Sequence, residues 1–69
     1  MNYAELTRKL RSLGCGFRRH AKGSHEIWWH PERRLYTVIP HHGKQDIAKG
    51  TLAKILRDLG FTQDDLDKV

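Results

Sequence analysis

The stretch that decides the fold is FRRHAKGSHEIWWHPERRLYTVIP, residues 17–40. Three short runs in and next to this stretch are rich in aromatic and β-branched side chains, a composition typical of β-strands. These runs are residues 16–22, 24–30 and 35–40. Lys22-Gly23 and the run 31–34 separate them and have the composition of tight turns. The sequence therefore predicts three strands joined as an antiparallel meander.

Amphipathic repeats lie on either side of these strands. Apolar residues recur with helical spacing at positions 3, 6, 10 and 13 and again at 52, 55, 56 and 59. Asn2 and Glu5 have the spacing of a capping box, and a glycine follows each repeat, where a helix often ends in a left-handed conformation. We therefore predict helices over about residues 3–13 and 49–59, and a short terminal helical turn over 63–68.

The order of these elements is α-β-β-β-α within one domain, residues 1–69, because so short a chain has no room for a second core. It predicts an α+β fold with a three-stranded antiparallel sheet and both helices on one face. Alternation places His25, Ile27 and Trp29 on one face of the middle strand and Trp28 on the other. Since each face carries a tryptophan, alternation alone does not say which face meets the helices.

The composition excludes several classes of protein. Hydrophobic residues make up 38% of the chain, and no run approaches the roughly 20 apolar residues of a membrane span. The chain begins without the apolar segment of a signal peptide. Cys15 is the only cysteine, so an internal disulfide is impossible. Neither a P-loop nor a dinucleotide-binding glycine motif occurs. We expect a cytoplasmic domain with no membrane contact and no cofactor.

The charge is more informative. Thirteen Lys and Arg residues against eight Asp and Glu residues give a net charge of +5. Three of the eight acids, Asp64, Asp65 and Asp67, fall within the last six residues, so the rest of the chain is still more basic. Such a surface attracts a polyanion, usually RNA or DNA. The alternative is a basic surface with no partner.

Five histidines are many for this length, but their spacing does not favour a metal site. Zinc requires three or four ligands with helix or knuckle spacing. His41 and His42 are adjacent, His25 and His30 fall on opposite faces of one strand, and Cys15 has no cysteine partner. We predict no metal site.

Gly23-Ser24-His25 is the candidate catalytic motif. A glycine in a hairpin turn lets the backbone approach a ligand, and an imidazole exchanges protons near neutral pH. Cations beside it would hold a phosphate and stabilise its developing charge. This combination suits metal-free RNA cleavage, in which a base deprotonates the 2′-hydroxyl. The alternative is that His25 is an ordinary surface or packing residue of a strand.

The same residues carry a family resemblance. Gly23-Ser24-His25, Trp28 and His30-Pro31 resemble the G-S-H-x-x-(aromatic)-x-H-P signature of the HicA-type (YcfA-like) toxins. The match continues through the two further motifs Ile39-Pro40-x-His42 and Lys49-Gly50-Thr51-Leu52-x-x-Ile55-Leu56-x-x-x-Gly60. It covers nearly the whole chain in the right order. Agreement of several spaced motifs is far more specific than G-S-H alone.

The resemblance implies a double-stranded-RNA-binding-domain-like fold, which agrees with the predicted order of elements. It implies a toxin of a type II toxin–antitoxin module, an mRNA interferase that a HicB-type antitoxin neutralises. The catalytic histidine of the family corresponds to His25. Around His25 this chain has Glu26 and the tandem Trp28-Trp29, where many members have a smaller or basic residue. Glu26 leaves the histidine in place but would alter the local charge or the fit of RNA.

With His25 as general acid–base, the remaining candidates are contacts to RNA. They are Arg18, Arg19, Lys22, Gly23, Ser24, Trp29, Lys49 and Lys54. Trp29 would either stack a base or supply core, whereas Trp28 is expected in the core. Lys49 and Lys54, with Arg57, would either span phosphates or form a solvated helix face. Two other functions stay open: a double-stranded-RNA-binding module without catalysis, and a pure protein-interaction domain.

Overall fold

The computed structural model describes residues 1–69 and has the predicted fold class. Its elements are α1 (Tyr3–Ser12), β1 (Gly16–His20), β2 (His25–His30), β3 (Leu35–Pro40), α2 (Lys49–Leu59) and α3 (Gln63–Asp67). The strands form one antiparallel sheet in the order β1-β2-β3. β1 ends two residues earlier than predicted, and β2 begins at His25, so Ser24 lies in the turn between them.

The helix ends follow from local chemistry. The Asn2 side chain accepts the backbone N–H of Glu5 at 3.0 Å, but the Glu5 side chain makes no return bond, so this capping box is half formed. A complete capping box, Thr62 with Asp65, begins α3 instead. Gly60 ends α2 in the left-handed conformation, at φ +77°. No helix of the chain is both long enough and apolar enough to cross a membrane.

The core lies between the helices and one face of the sheet, as the sequence predicts. Trp28 is fully buried at its centre. The cluster consists of Leu6, Leu10, Cys15, Trp28, Ile39, Ile55, Leu56, Leu59, Phe61 and Leu66. Glu26 and His30 alternate with Trp28 and share this face, which we call the inner face. His25, Ile27 and Trp29 lie on the opposite, outer face, which no helix covers.

A β-bulge in β1 changes which side chains reach the outer face. Phe17 pairs with Trp28 and Arg19 pairs with Ile27, so the register shifts by one residue and Arg18 is the extra one. Strict alternation would send Arg18 and Arg19 to opposite faces. The bulge instead lets both arginines point outward, because two residues of the bulged strand oppose one of its partner.

Candidate active site

His25 stands at the first position of β2, at the end of a tight hairpin turn. The N–H of Ala21 donates to the carbonyl of His25 at 2.9 Å, and the N–H of His25 donates to the carbonyl of Lys22 at 3.3 Å. Gly23 has φ +66°, a conformation that favours glycine. Lys22, Gly23, Ser24 and His25 are all exposed. The structure therefore brings these four predicted site residues together in one solvent-accessible turn.

The turn also fixes the orientation of the imidazole. The Nδ1 atom of His25 lies 3.1 Å from the carbonyl oxygen of Lys22. A carbonyl can only accept, so Nδ1 carries the proton in this hydrogen bond. In the neutral ring, Nε2 is then the unprotonated nitrogen. The exposed side chain thus holds a lone pair ready to accept a proton, with its tautomer fixed by a backbone group.

The outer face around His25 is cationic and partly aromatic. Register and alternation place eight side chains on it, none of which is acidic: Arg18, Arg19, His25, Ile27, Trp29, Tyr36, Val38 and Pro40. The guanidinium of Arg18 lies 4.6 Å from the centre of the Trp29 ring, over its face. This cation–π contact takes Arg18 toward the end of β2 remote from His25.

The structure does not bring Lys49 and Lys54 to this face, because both belong to α2, which packs on the inner face. The ammonium of Lys54 lies 2.8 Å from a carboxylate oxygen of Asp58, and the hydroxyl of Thr37 donates to that same oxygen at 2.9 Å. The hydrogen bond from Lys54, with that from Thr37, holds the pKa of Asp58 below its ordinary value. The charge of Lys54 is therefore largely balanced within the protein.

Glu26, adjacent to His25, turns its carboxylate in the opposite direction, toward the helices. It is buried, and one carboxylate oxygen accepts the hydroxyl of Tyr3 at 2.5 Å and the indole N–H of Trp28 at 3.0 Å. The other oxygen lies 3.3 Å from Nδ1 of His41. The rings of Tyr3 and His41 stack with centroids 3.7 Å apart. Sequence reasoning missed this network, which we call the Glu26 cluster.

The Glu26 cluster is linked to the turn that carries His25 from the inner face. Burial raises the pKa of Glu26, but the hydrogen bonds from Trp28, Tyr3 and His41 outweigh it and leave the pKa below its ordinary value. Burial, together with the nearby carboxylate, raises the pKa of Tyr3 to about 12. The carboxylate is therefore charged and the phenol neutral near pH 7. The backbone N–H of His41 also donates to the backbone carbonyl of Ser24 at 3.0 Å, and this bond links the cluster to the turn.

His30 has a structural role. It is buried on the inner face, and its Nδ1 accepts the backbone N–H of Arg33 at 3.1 Å. Gly14, at φ +95°, lies so close that a Cβ there would stand 2.8 Å from the imidazole Nε2. The Cys15 thiol is also buried, and this burial raises its pKa to about 11, so it is not a nucleophile near neutral pH. No three His, Cys, Asp or Glu side chains are grouped to hold a metal ion.

The family model described as HicA toxin of bacterial toxin–antitoxin matches residues 3–61. The chain belongs to the HicA toxin family. Comparison with curated proteins and comparison with solved structures each gave no significant match. The matched region contains the whole sheet and α2, and therefore the turn that carries His25. Membership in the HicA family assigns the chain the role of a toxin in a toxin–antitoxin module, with an antitoxin as partner and RNA as the general target of the family.

Proposed function

We propose that this HicA-family toxin is a metal-independent endoribonuclease, an mRNA interferase, with His25 as its general acid–base. The observation that carries the proposal is the geometry of the turn, where the Lys22 carbonyl holds Nδ1 of an exposed imidazole. The basic outer face and the family membership support RNA as substrate.

In the proposed reaction, Nε2 of His25 takes the proton of a ribose 2′-hydroxyl. The 2′-oxygen attacks the adjacent phosphorus, and the bond from phosphorus to the 5′-oxygen breaks. The leaving oxygen takes a proton from Lys22 or from water, which gives a 5′-hydroxyl and a 2′,3′-cyclic phosphate. The imidazolium that forms keeps its Nδ1–H bond to the Lys22 carbonyl. This carbonyl thereby stabilises the charged ring.

The remaining residues would bind the RNA. Arg19 and Lys22 flank His25 on β1 and in the turn, where their charge would offset the negative charge on the reacting phosphate. Gly23 and Ser24 would let the backbone of the RNA come close to the turn. Arg18 and Trp29 would hold the strand at the far end of β2. Lys49 and Lys54 would serve only an RNA that wraps around the sheet to α2.

The first prediction concerns the products. The purified toxin is expected to cleave mRNA with EDTA present, and mass spectrometry of the fragments should show 2′,3′-cyclic phosphate and 5′-hydroxyl ends. A preparation from a variant lacking His25 controls for contaminating ribonucleases. Binding without cleavage would indicate a double-stranded-RNA-binding module instead, and no binding at all would indicate a protein-interaction domain.

The second prediction concerns the partner, for which we propose a HicB-type antitoxin that acts in the cytoplasm by covering His25. A cationic outer face favours an acidic partner and rapid, salt-sensitive association. Diethyl pyrocarbonate should modify His25 in the free toxin, and this modification should fall to background in the complex. His20 serves as the control for modification of an exposed histidine. It is opposite Glu26 in the β1–β2 register, so it belongs to the inner side of β1 and should stay reactive in the complex. Full reactivity of His25 in the complex would contradict direct occlusion.

A further inference from the structure

The outer face carries a cleft of about 390 Å³ at the end of β2 remote from His25. It is lined by Arg18, Trp29, Pro31, Arg34, Leu35 and Tyr36. Its volume falls within the range of about 300–1,000 Å³ that is usual for small-molecule sites. We call it the Trp29–Tyr36 cleft, after the two aromatic residues in its wall.

Aromatic and cationic side chains surround the cleft. Tyr36 pairs directly with Trp29 across the β2–β3 ladder, so the two side chains stand next to each other on the outer face. Tyr36 is 60% exposed, the most exposed of the large hydrophobic side chains. Arg18 covers Trp29 with its guanidinium 4.6 Å from the ring centre. Arg34, in the turn after β2, contributes a second cation and adopts φ +58°.

We propose that the Trp29–Tyr36 cleft binds an unpaired nucleotide of the RNA, with its base against the aromatic side chains and its phosphates near Arg18 and Arg34. Tyr36 is exposed and Trp29 is half-buried. Every base has a flat π-face, so an aromatic pair at an open surface binds bases with little regard to sequence. The adjacent guanidinium groups supply the charge that a phosphate backbone requires. This assignment rests on the proposed function in that the same RNA strand must extend to His25.

The distance to His25 suits a strand that lies along β2. Trp29 lies four positions after His25 in β2, which places the two side chains roughly 13 Å apart on the same face, at about 3.3 Å per residue. Arg19 and Val38, which are exposed on either side of the buried Ile27, form the path between them. A cleft nucleotide and a cleaved phosphate would therefore belong to one short segment of RNA.

The chemistry of the cleft selects single-stranded RNA. In an A-form duplex the bases are stacked and paired, and proteins recognise it through phosphates and 2′-hydroxyls across the minor groove. An aromatic pair set in an open sheet can bind only bases that are free of such a stack. The cations of α2, which would suit a duplex, lie on the other layer of the protein, and one of them is paired with Asp58. The outer face, rather than α2, is thus assigned to the substrate.

The third prediction tests this assignment in the His25→Ala background, in which cleavage is expected to be too slow to interfere with a binding measurement. The probe is a fluorescein-labelled RNA of ten nucleotides, measured by anisotropy as a single strand and as a blunt duplex. Tyr36→Leu and Trp29→Leu keep apolar bulk and remove the aromatic plane. Each is expected to raise the Kd for the single strand about fivefold or more and to change the Kd for the duplex less than about twofold. Phe17→Leu is the matched control, because Phe17 is exposed but pairs with Trp28 toward the inner face.

Two results would overturn the assignment. One is unchanged single-strand affinity in both variants, with folding verified by circular dichroism. The other is a loss of affinity only for a cognate antitoxin, which would make the cleft a protein-docking site. The binding measurements test the cleft separately from the proposed reaction. If His25→Ala still cleaves RNA, the proposed reaction fails, while a selective loss of single-strand binding in Tyr36→Leu would still support the cleft.

Discussion

Replacing His25 with alanine is expected to lower the rate of RNA cleavage by about 10²–10⁴-fold, the usual contribution of a positioned general acid–base. In the neutral imidazole, Nε2 is the nitrogen that can accept a proton, because Nδ1 donates to the Lys22 carbonyl. Alanine leaves the backbone of the turn and the surrounding cations in place. Single-turnover cleavage of a labelled mRNA fragment measures the loss, and growth inhibition should disappear with it.

The interpretation requires that the variant still folds. His25 is exposed at a strand end, so its truncation leaves no cavity in the core and should change the free energy of unfolding by less than about 1 kcal/mol. Urea unfolding tests this. His20→Ala is the matched control, since His20 is an exposed strand histidine outside the turn that carries His25, and this variant should keep full activity. A folded His25→Ala protein that cleaves normally would refute the role of His25. His30 would not then replace it, because that ring is buried on the inner face.

Local patterns in the sequence were sufficient to predict the order and type of the secondary-structure elements. The three strands, two helices and terminal turn depend on residue spacing within a few positions, and glycine at 14 and 60 ends the helical segments as predicted. The two faces of β2 were also separated correctly by alternation. Which face is buried was not predictable, because Trp28 and Trp29 present equal bulk and only the packing of both helices distinguishes them.

Two features of the site could not be predicted because they depend on the register of pairing and on distant contacts. Strict alternation of Phe17, Arg18 and Arg19 gives no sign of the bulge that turns both arginines outward. The Glu26 cluster joins residues 3, 26, 28 and 41, which meet only after the sheet and α1 have packed. The sequence alone places Glu26 as a charge directly beside His25. In the structure it faces the opposite side of the sheet.

Replacing Glu26 with glutamine is expected to destabilise the protein by about 2–3 kcal/mol near neutral pH. The glutamine is similar in shape but uncharged, and a hydrogen bond to a charged group contributes roughly 1 kcal/mol more than a neutral one. Glu26 has three such partners, Tyr3, Trp28 and His41. Urea unfolding followed by circular dichroism measures the difference. Glu32→Gln is the control, since Glu32 is exposed in the β2–β3 turn, and should change stability by less than about 0.5 kcal/mol.

The difference between the wild-type protein and Glu26→Gln should depend on pH in a defined direction. The pKa of Glu26 is lower in the folded protein than its ordinary value near 4.5. The unfolded chain therefore binds the proton more tightly, and the stabilisation is fully present above about pH 5 and is lost as the pH falls through the folded-state pKa. Asp58 and Asp65 also have lowered pKa values, but both proteins contain them, so their contributions cancel in the difference. Urea unfolding at pH 6, 4 and 3 should show that the difference in free energy of unfolding between the two proteins becomes smaller as the pH falls. A difference of equal size at pH 6 and pH 3 would mean that the hydrogen-bonding pattern of the carboxyl group, and not its charge, stabilises the contacts of Glu26 with Tyr3 and His41.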